Sequence, residues 1–533
     1  MGNTISYETT PTTLSLGLKG SVKGLQFSNK SIRFAGVPYA LPPTGEYRWR
    51  KPRPLPESHQ YDEFDATEFK NPCWQKLFGK VAKAEGTEAQ YSEDCLLLNI
   101  WTPALKDGET LEGRKLPVVL WLHGGWFQMG DPSQEPGMDP IELISTGGLN
   151  AIFIAIGYRL NIFGFLAGSA LLEDSDGAAA GNCGLWDQRL AMEWVQENIQ
   201  HFGGDPNNIV LGGRSGGAYG VEAQVLHEMR NPACENLIKK FYMLSNAIPA
   251  QPKTVAETES QFDEVCTYFN LPASLPAKEK LARLRHIPAK DLVDALERMK
   301  NHTFRPVTDD LFIHSNLIEF LTSGRFAKTF KDRGMKLLIG EVLNEESLYA
   351  EYNSPEQPIL SALQHQLENY YAPSTVERIL PSSTLPSSSS LQPWKSLYGT
   401  IAADGQVRAP SRFLAKKLFE NGVGVDDVWR YLIAYRMGFI DESVAPGEFG
   451  VAHAMDKPFW NFSITHGPSA EERALMEEWI EILVAFVHGD EEYEFGTKRV
   501  DEVKVATPEK KIEIWKDERW EDLSKLGGVF ASA

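Results

Sequence analysis

The stretch Asn207–Gly220, "NNIVLGGRSGGAYG", sets an apolar run directly before one serine among five glycines. An apolar run that ends in glycines and passes into a helical pattern reads as a buried parallel strand followed by a tight strand-to-helix turn. Three uses of that turn compete. The glycines could cradle a phosphate, let two backbones pack closely, or present Ser215 as a nucleophile. A phosphate loop needs Lys and Ser/Thr after its last glycine, and none follows here. Gly213-Arg214-Ser215-Gly216-Gly217 instead matches G-x-S-x-G, a sharp turn that projects the serine hydroxyl from the sheet edge and needs glycine on both sides.

Working outward, apolar runs alternate with helical patterns from about residue 116 to residue 250, as in a parallel sheet covered on both faces. Leu116–Leu122 and 151–158 read as strands, 185–202 as a helix, and 207–213 and 239–247 as further strands. Residues 275–300 read as one or two amphipathic helices split at Pro288. The sheet resumes near residue 335, and 428–437 is a late strand. Ala470–Asp490 is a long late helix, and the serine-rich run 380–390 is a surface loop. No linker separates independent units, so the expectation is a single domain over 1–533, with 1–14 a flexible tail.

A serine hydroxyl needs a base at neutral pH, and the base needs an orienting acid. Of the histidines beyond residue 345, His488 sits near a helix end and His365 in a polar helical stretch. His453, in the loop "EFGVAHAMDKPFW", is the candidate base. A third need is a set of N–H donors for the oxyanion. "LWLHGGWFQMG", Leu120–Gly130, ends a strand in His123-Gly124-Gly125 and is similar to the HGG motif of esterases, with the amide of Gly216 as a further donor. His123 is expected to brace that loop.

These residues resemble the type-B carboxylesterase and cholinesterase family of α/β-hydrolases, and the resemblance runs along nearly the whole chain. Phe34–Pro52 is similar to the family's N-terminal signature, and Ser92–Pro103, "SEDCLLLNIWTP", to its E-D-C-L-x-L-N segment. "YRLNIFGFL", Gly181–Pro206 and "GVAH" follow in order. The resemblance implies an α/β-hydrolase fold, with a large, mostly parallel sheet, helices on both faces, and insertions forming a gorge or cap. It places the acid five residues after Gly340, at Glu345, with Glu346 beside it as an ambiguity. It further implies the triad Ser215, Glu345 and His453, with Gly125, Trp126 and Gly216 as oxyanion donors. Trp126 stands where the family commonly has glycine. A disulfide between Cys73 and Cys95 is implied too, although a reducing compartment would oppose it.

Two departures concern substrate. Arg214 stands where the family commonly has Glu; it pairs with a buried carboxylate or, on the sharper reading, meets an anionic or phenolic substrate. The Cys73–Cys95 loop has no tryptophan placed to bind choline. Phe127, Phe459 and Trp460, together with Phe462, are expected to make the pocket largely apolar.

The implied function is hydrolysis of small or medium, largely apolar carboxylic esters through an acyl-enzyme, with no cofactor or metal. An acyltransferase using the same triad is the alternative, and a non-catalytic adhesion or scaffold protein a third reading. The 72 acidic against 53 basic residues, net −19, repel phosphate backbones and argue against nucleic-acid partners. No apolar run is long enough for a transmembrane helix. Gly2 and Ser6 fit the myristoylation pattern, which would give weak membrane association, although a polar tail is the plainer reading. Five cysteines are too few for a disulfide scaffold, and the sequons at Asn29, Asn301 and Asn461 are read as chance. Cytoplasmic placement is the expectation, with membrane association and secretion as alternatives; oligomeric state is left open.

Overall fold

Strands form where apolar runs can be buried on both faces. In the computed structural model, residues 7–76, 90–105, 109–133, 139–231, 234, 236–442 and 445–532 are described. The main strands are β1 (Thr9–Ser15), β2 (Ser21–Phe27), β3 (Ser31–Pro38), β4 (Leu97–Pro103), β5 (Leu116–Leu122) and β6 (Ile152–Ile156). They continue as β7 (Gly204–Arg214), β8 (Ile238–Leu244), β9 (Lys336–Val342), β10 (Val428–Ile433), β11 (Glu502–Ala506) and β12 (Ile512–Lys516). They lie in one sheet in the order β1-β2-β3-β4-β6-β5-β7-β8-β9-β10-β11-β12, with Phe64–Asp65 added beside β2. From β6 to β11 every neighbouring pair is parallel. The margins β1–β4 and β12 pair antiparallel.

Side chains alternate across a strand, so β5 feeds two cores. Val118, Leu120 and Leu122 join the core on one face, and Val119 and Trp121 the core on the other. The first core takes in helices Cys183–Asn198 and Gly216–Arg230; the second takes in Ala470–His488. That last helix is framed as its sequence dictates. Ser469 and Glu472 form a reciprocal capping box at its start, and Gly489, at φ +69°, ends it. This is the α/β-hydrolase arrangement.

Two helical insertions interrupt the sheet. The β8–β9 connection includes Ala277–Arg285 and Ala289–Leu296, split at Pro288. The β9–β10 connection carries Glu345–Glu351, Leu360–Glu368, Gln392–Ala403 and Ala409–Glu420, with a π-helical turn at Asp404–Arg408 between the last two. The second insertion builds its own aromatic core from Tyr349, Tyr371, Trp394 and Tyr398, against which Trp126 packs.

Two expectations need correction. Residues 1–14 are not all tail. Thr9–Ser15 pairs with Ser21–Phe27 along its full length, because its backbone completes the sheet margin although most of its side chains face solvent. Gly2 lies outside the described residues. Cys73 and Cys95 do not form a disulfide: both are buried free thiols in side-chain hydrogen bonding with each other. That contact and burial hold the Cys95 thiol well above its ordinary pKa, so it stays protonated. Most of the loop between them, 77–89, lies outside the described residues.

Candidate active site

Ser215 follows the last residue of β7 and precedes the helix Gly216–Arg230. Its backbone has φ +55° and ψ −124°, a region costing a non-glycine residue about 1–3 kcal/mol and held only by strong surroundings. Ser215 N donates to Leu244 O at 2.8 Å, and Tyr219 N to Ser215 O at 3.1 Å. The flanking glycines are steric requirements. A Cβ on Gly217 would stand 2.0 Å from Leu122 O, and one on Gly213 would stand 2.5 Å from the Gly217 carbonyl.

Glu345 opens a short helix after β9. Its Oε1 accepts from Val342 N at 2.9 Å, and its Oε2 lies 2.5 Å from His453 Nδ1. Both side chains are buried. The histidine loop is tied to the acid's turn, with Asn344 N donating to Val451 O at 2.9 Å and Val451 N to Asn344 Oδ1 at 3.1 Å. With the carboxylate fixing the proton on Nδ1, Nε2 is the free acceptor of the imidazole. It is buried and has no hydrogen-bond partner among the described residues. Glu346 is engaged elsewhere, by Arg408, so the acid facing His453 is Glu345.

After β5 the chain enters the left-handed region at three consecutive residues: Gly125 at φ +106°, Trp126 at +56° and Phe127 at +65°. This turns the loop toward the serine helix. A Cβ on Gly216 would lie 3.3 Å from Trp126 N and 3.1 Å from Phe127 N. Among the described residues no backbone hydrogen bond engages the amides of Gly125 or Trp126. The amide of Gly216, at the start of its helix, has no carbonyl a turn earlier to meet. The amides of Trp126 and Phe127 therefore lie close to Gly216, beside Ser215, and among the described residues neither has a backbone acceptor. His123 braces this loop as expected: its ring stacks on Tyr158 at 4.5 Å, and burial lowers its pKa. The Trp126 indole meets Tyr349 edge-on at 6.5 Å, and Tyr349 in turn lies 5.3 Å from the His453 ring.

The residues expected to line a pocket sit differently. Arg214 points into the protein, its Nε 3.1 Å from Asp456 Oδ1 and its guanidinium 5.4 Å from the Trp121 ring centroid. Both partners are buried, so the plainer reading of Arg214 holds and a direct substrate contact does not. Phe459 and Trp460 pack on Trp479 of the Ala470–His488 helix, inside the core. Phe127 is also fully buried, against Phe165 and Tyr219. An aromatic cluster near a motif serves a core as readily as a pocket. Asp456, Tyr349 and Gln128 were not singled out from the sequence. Of these, only the placement of Asp456, three residues after His453 in the same loop, carried any signal.

The family model described as the carboxylesterase family matches residues 10–523. An uncharacterized esterase/lipase of Schizosaccharomyces pombe is 36% identical over 98% of this chain and 97% of its own. A carboxylic ester hydrolase of Gibberella moniliformis is 35% identical over 96% of this chain and 94% of its own. The para-nitrobenzyl esterase of Bacillus subtilis is 32% identical over 62% of each chain. With a match spanning nearly all its length, this chain belongs to the carboxylesterase family.

Proposed function

We propose that the chain hydrolyses carboxylic esters through an acyl-enzyme on Ser215. The observation that carries this reading is the buried Glu345–His453 pair, with Nε2 unpartnered, on the sheet edge where the strained Ser215 also sits. In the proposed reaction the Ser215 hydroxyl attacks the ester carbonyl while His453 Nε2 takes its proton. The carbonyl oxygen gains negative charge, which the amides of Gly125, Trp126 and Gly216 stabilise. His453 then gives the proton to the departing alcohol, and Glu345 holds the imidazole in its working tautomer and stabilises its charged form. Water, activated by the same histidine, attacks the acyl-enzyme and frees the carboxylic acid. The relatives' names, esterase and carboxylic ester hydrolase, support the reaction class.

The substrates fitting this reading are small or medium esters, because Trp126 and Tyr349 crowd the space beside His453. The continuous sheet from β1 to β12 supports a single catalytic domain. No helix among the described residues is long and apolar enough to cross a membrane, and a cytoplasmic placement is part of the proposal. Hydrolysis of 4-nitrophenyl esters from acetate to decanoate, by wild type and Ser215→Ala, tests the reading. Activity lost in the variant, with an optimum at short or medium chains, is expected; activity kept in the variant overturns the assignment of the nucleophile.

A further inference from the structure

Beside the oxyanion loop lies a recess whose charge no assigned role uses. Gln128, the second residue after Trp126, is tied to the chain at Phe304: its Nε2 donates to Phe304 O at 2.5 Å, and its Oε1 accepts from Phe304 N at 3.1 Å. The next residue is Arg305. Its guanidinium carbon lies 5.6 Å from the ring of Tyr219 and 4.9 Å from that of Tyr370. Tyr219 is one helical turn beyond Ser215 and touches Phe127 edge-on at 5.6 Å. Arg305 is thus anchored to the oxyanion loop on one side and packed on the nucleophile's helix on the other.

The surroundings supply cations without matching carboxylates. Arg305 Nη2 donates to the neutral Gln406 Oε1 at 3.1 Å, and Gln406 sits in the π-helical turn with its Nε2 donating to Tyr371 Oη at 2.7 Å. Lys253 lines the same recess and donates to the backbone carbonyl of Glu368 at 2.5 Å. Among the described residues neither Arg305 nor Lys253 lies within 4.0 Å of a carboxylate; the acidic groups acting on Lys253 from farther off are Glu368 and Glu257. Arg305 is half-buried, whereas some arginines buried more deeply do have a carboxylate: Arg159 with Asp187, Arg214 with Asp456, and Arg412 with Glu341 and Asp517. Free space in the recess is about 30 Å³, suited to a carboxylate-sized group rather than a long acyl chain.

We propose that Arg305, with Lys253 behind it, receives the carboxylate of an ester that carries a second acidic group, making acidic esters preferred substrates. This rests on the esterase reading above. The net charge of −19 opposes the approach of an acidic ester. Charges more than about 8 Å away are largely screened at physiological salt, however, so the two local cations dominate once the ester is in the cleft. Arg214 is not available for such a contact, because Asp456 pairs with it in the core.

The test uses two matched pairs. Mono(4-nitrophenyl) adipate against 4-nitrophenyl hexanoate places the carboxylate on the acyl side; 4-acetoxybenzoate against its methyl ester places it on the alcohol side. The readout is the ratio of kcat/KM for acidic over neutral ester, corrected by the Ser215→Ala background. In one pair the wild-type ratio should exceed one and decrease with added salt. Arg305→Gln should lower it by about ten- to a hundredfold, the loss expected for a hydrogen bond to a charged group. Arg305→Lys should retain part of it, and Lys253→Met, a second variant independent of the stacking on Tyr219 and Tyr370, should lower it as well. A wild-type ratio below one in both pairs, or one unmoved by Arg305→Gln and Lys253→Met, overturns the recess assignment and leaves the esterase reading intact. Absence of Ser215-dependent turnover of all four esters overturns the esterase reading and the assignment with it.

Discussion

Replacing Arg214 by Met removes one half of a buried ion pair and leaves Asp456 charged in the core. The Asp456 side chain is 0% exposed and that of Arg214 4%. Besides Arg214, the carboxylate has, among the described residues, the Tyr431 hydroxyl at 3.5 Å, the outer edge of a hydrogen bond. Stranding such a charge costs about 3–5 kcal/mol, whereas replacing both partners by apolar groups is often close to neutral. Arg214→Met should therefore lower stability by about 4 kcal/mol, and Arg214→Met/Asp456→Leu should recover most of that loss. Activity should not recover with it. The pair joins the residue before Ser215 to the third residue after His453, and a misplacement of about 1 Å at a reacting group can cost about a hundredfold in rate. Urea unfolding gives the stabilities, and ester hydrolysis well below the unfolding transition gives kcat. A single variant within about 1 kcal/mol of wild type, or a double variant as unstable as the single, would refute the reasoning.

Three further outcomes are expected. Glu345→Gln keeps the shape but loses the charge that fixes the His453 tautomer, so kcat should fall by about 10⁴-fold with little change in KM, measured by steady-state kinetics. Glu222, buried on the serine helix itself with Oε1 unpartnered among the described residues, has its pKa pushed up to about 8 by desolvation. The folded state then binds more protons than the unfolded state between about pH 4.5 and 8, so this group's contribution to stability declines as pH rises through that window. Glu222→Gln should flatten that decline in urea midpoints measured from pH 5 to 9, and an unchanged slope would show that Glu222 is not its source. Trp126→Gly removes a left-handed non-glycine residue and the indole beside Tyr349. The optimum acyl length of the 4-nitrophenyl series should shift upward, and an unchanged optimum would mean that the indole does not bound the acyl space.

The centre of the fold was legible because β5 and β6 are buried on both faces and read as unbroken apolar runs, and β7 to β10 each carry a shorter buried one. Helix 470–488 was legible from its periodicity and capping residues. The margins were not. Thr9–Ser15, "TTPTTLS", is mostly solvent-facing, and its pairing comes from the backbone, which leaves little hydrophobic pattern. The hairpin of β11 and β12 escaped notice for a similar reason, with Glu513, Glu502 and Lys516 interleaved among its apolar positions. Within the candidate site, Ser215 declared itself through steric demands on its neighbours, which glycine records directly. Glu345 has no such local signature, since a carboxylate after a strand looks like any surface acid, and only resemblance to a family singled it out. Arg214 left two readings open until its partner, 242 residues away, came into view. Arg305 follows a run of insertion helices, and its meaning depends on Gln128, Tyr219 and Lys253, which no spacing rule connects.

Labelling with a fluorophosphonate probe and mapping the adduct by mass spectrometry tests whether Ser215 is an activated nucleophile served by His453. One adduct per chain is expected, located on Ser215, absent in Ser215→Ala and strongly slowed in a folded His453→Ala variant. Labelling that persists in Ser215→Ala, or a folded wild type that takes no label, would contradict that role for Ser215.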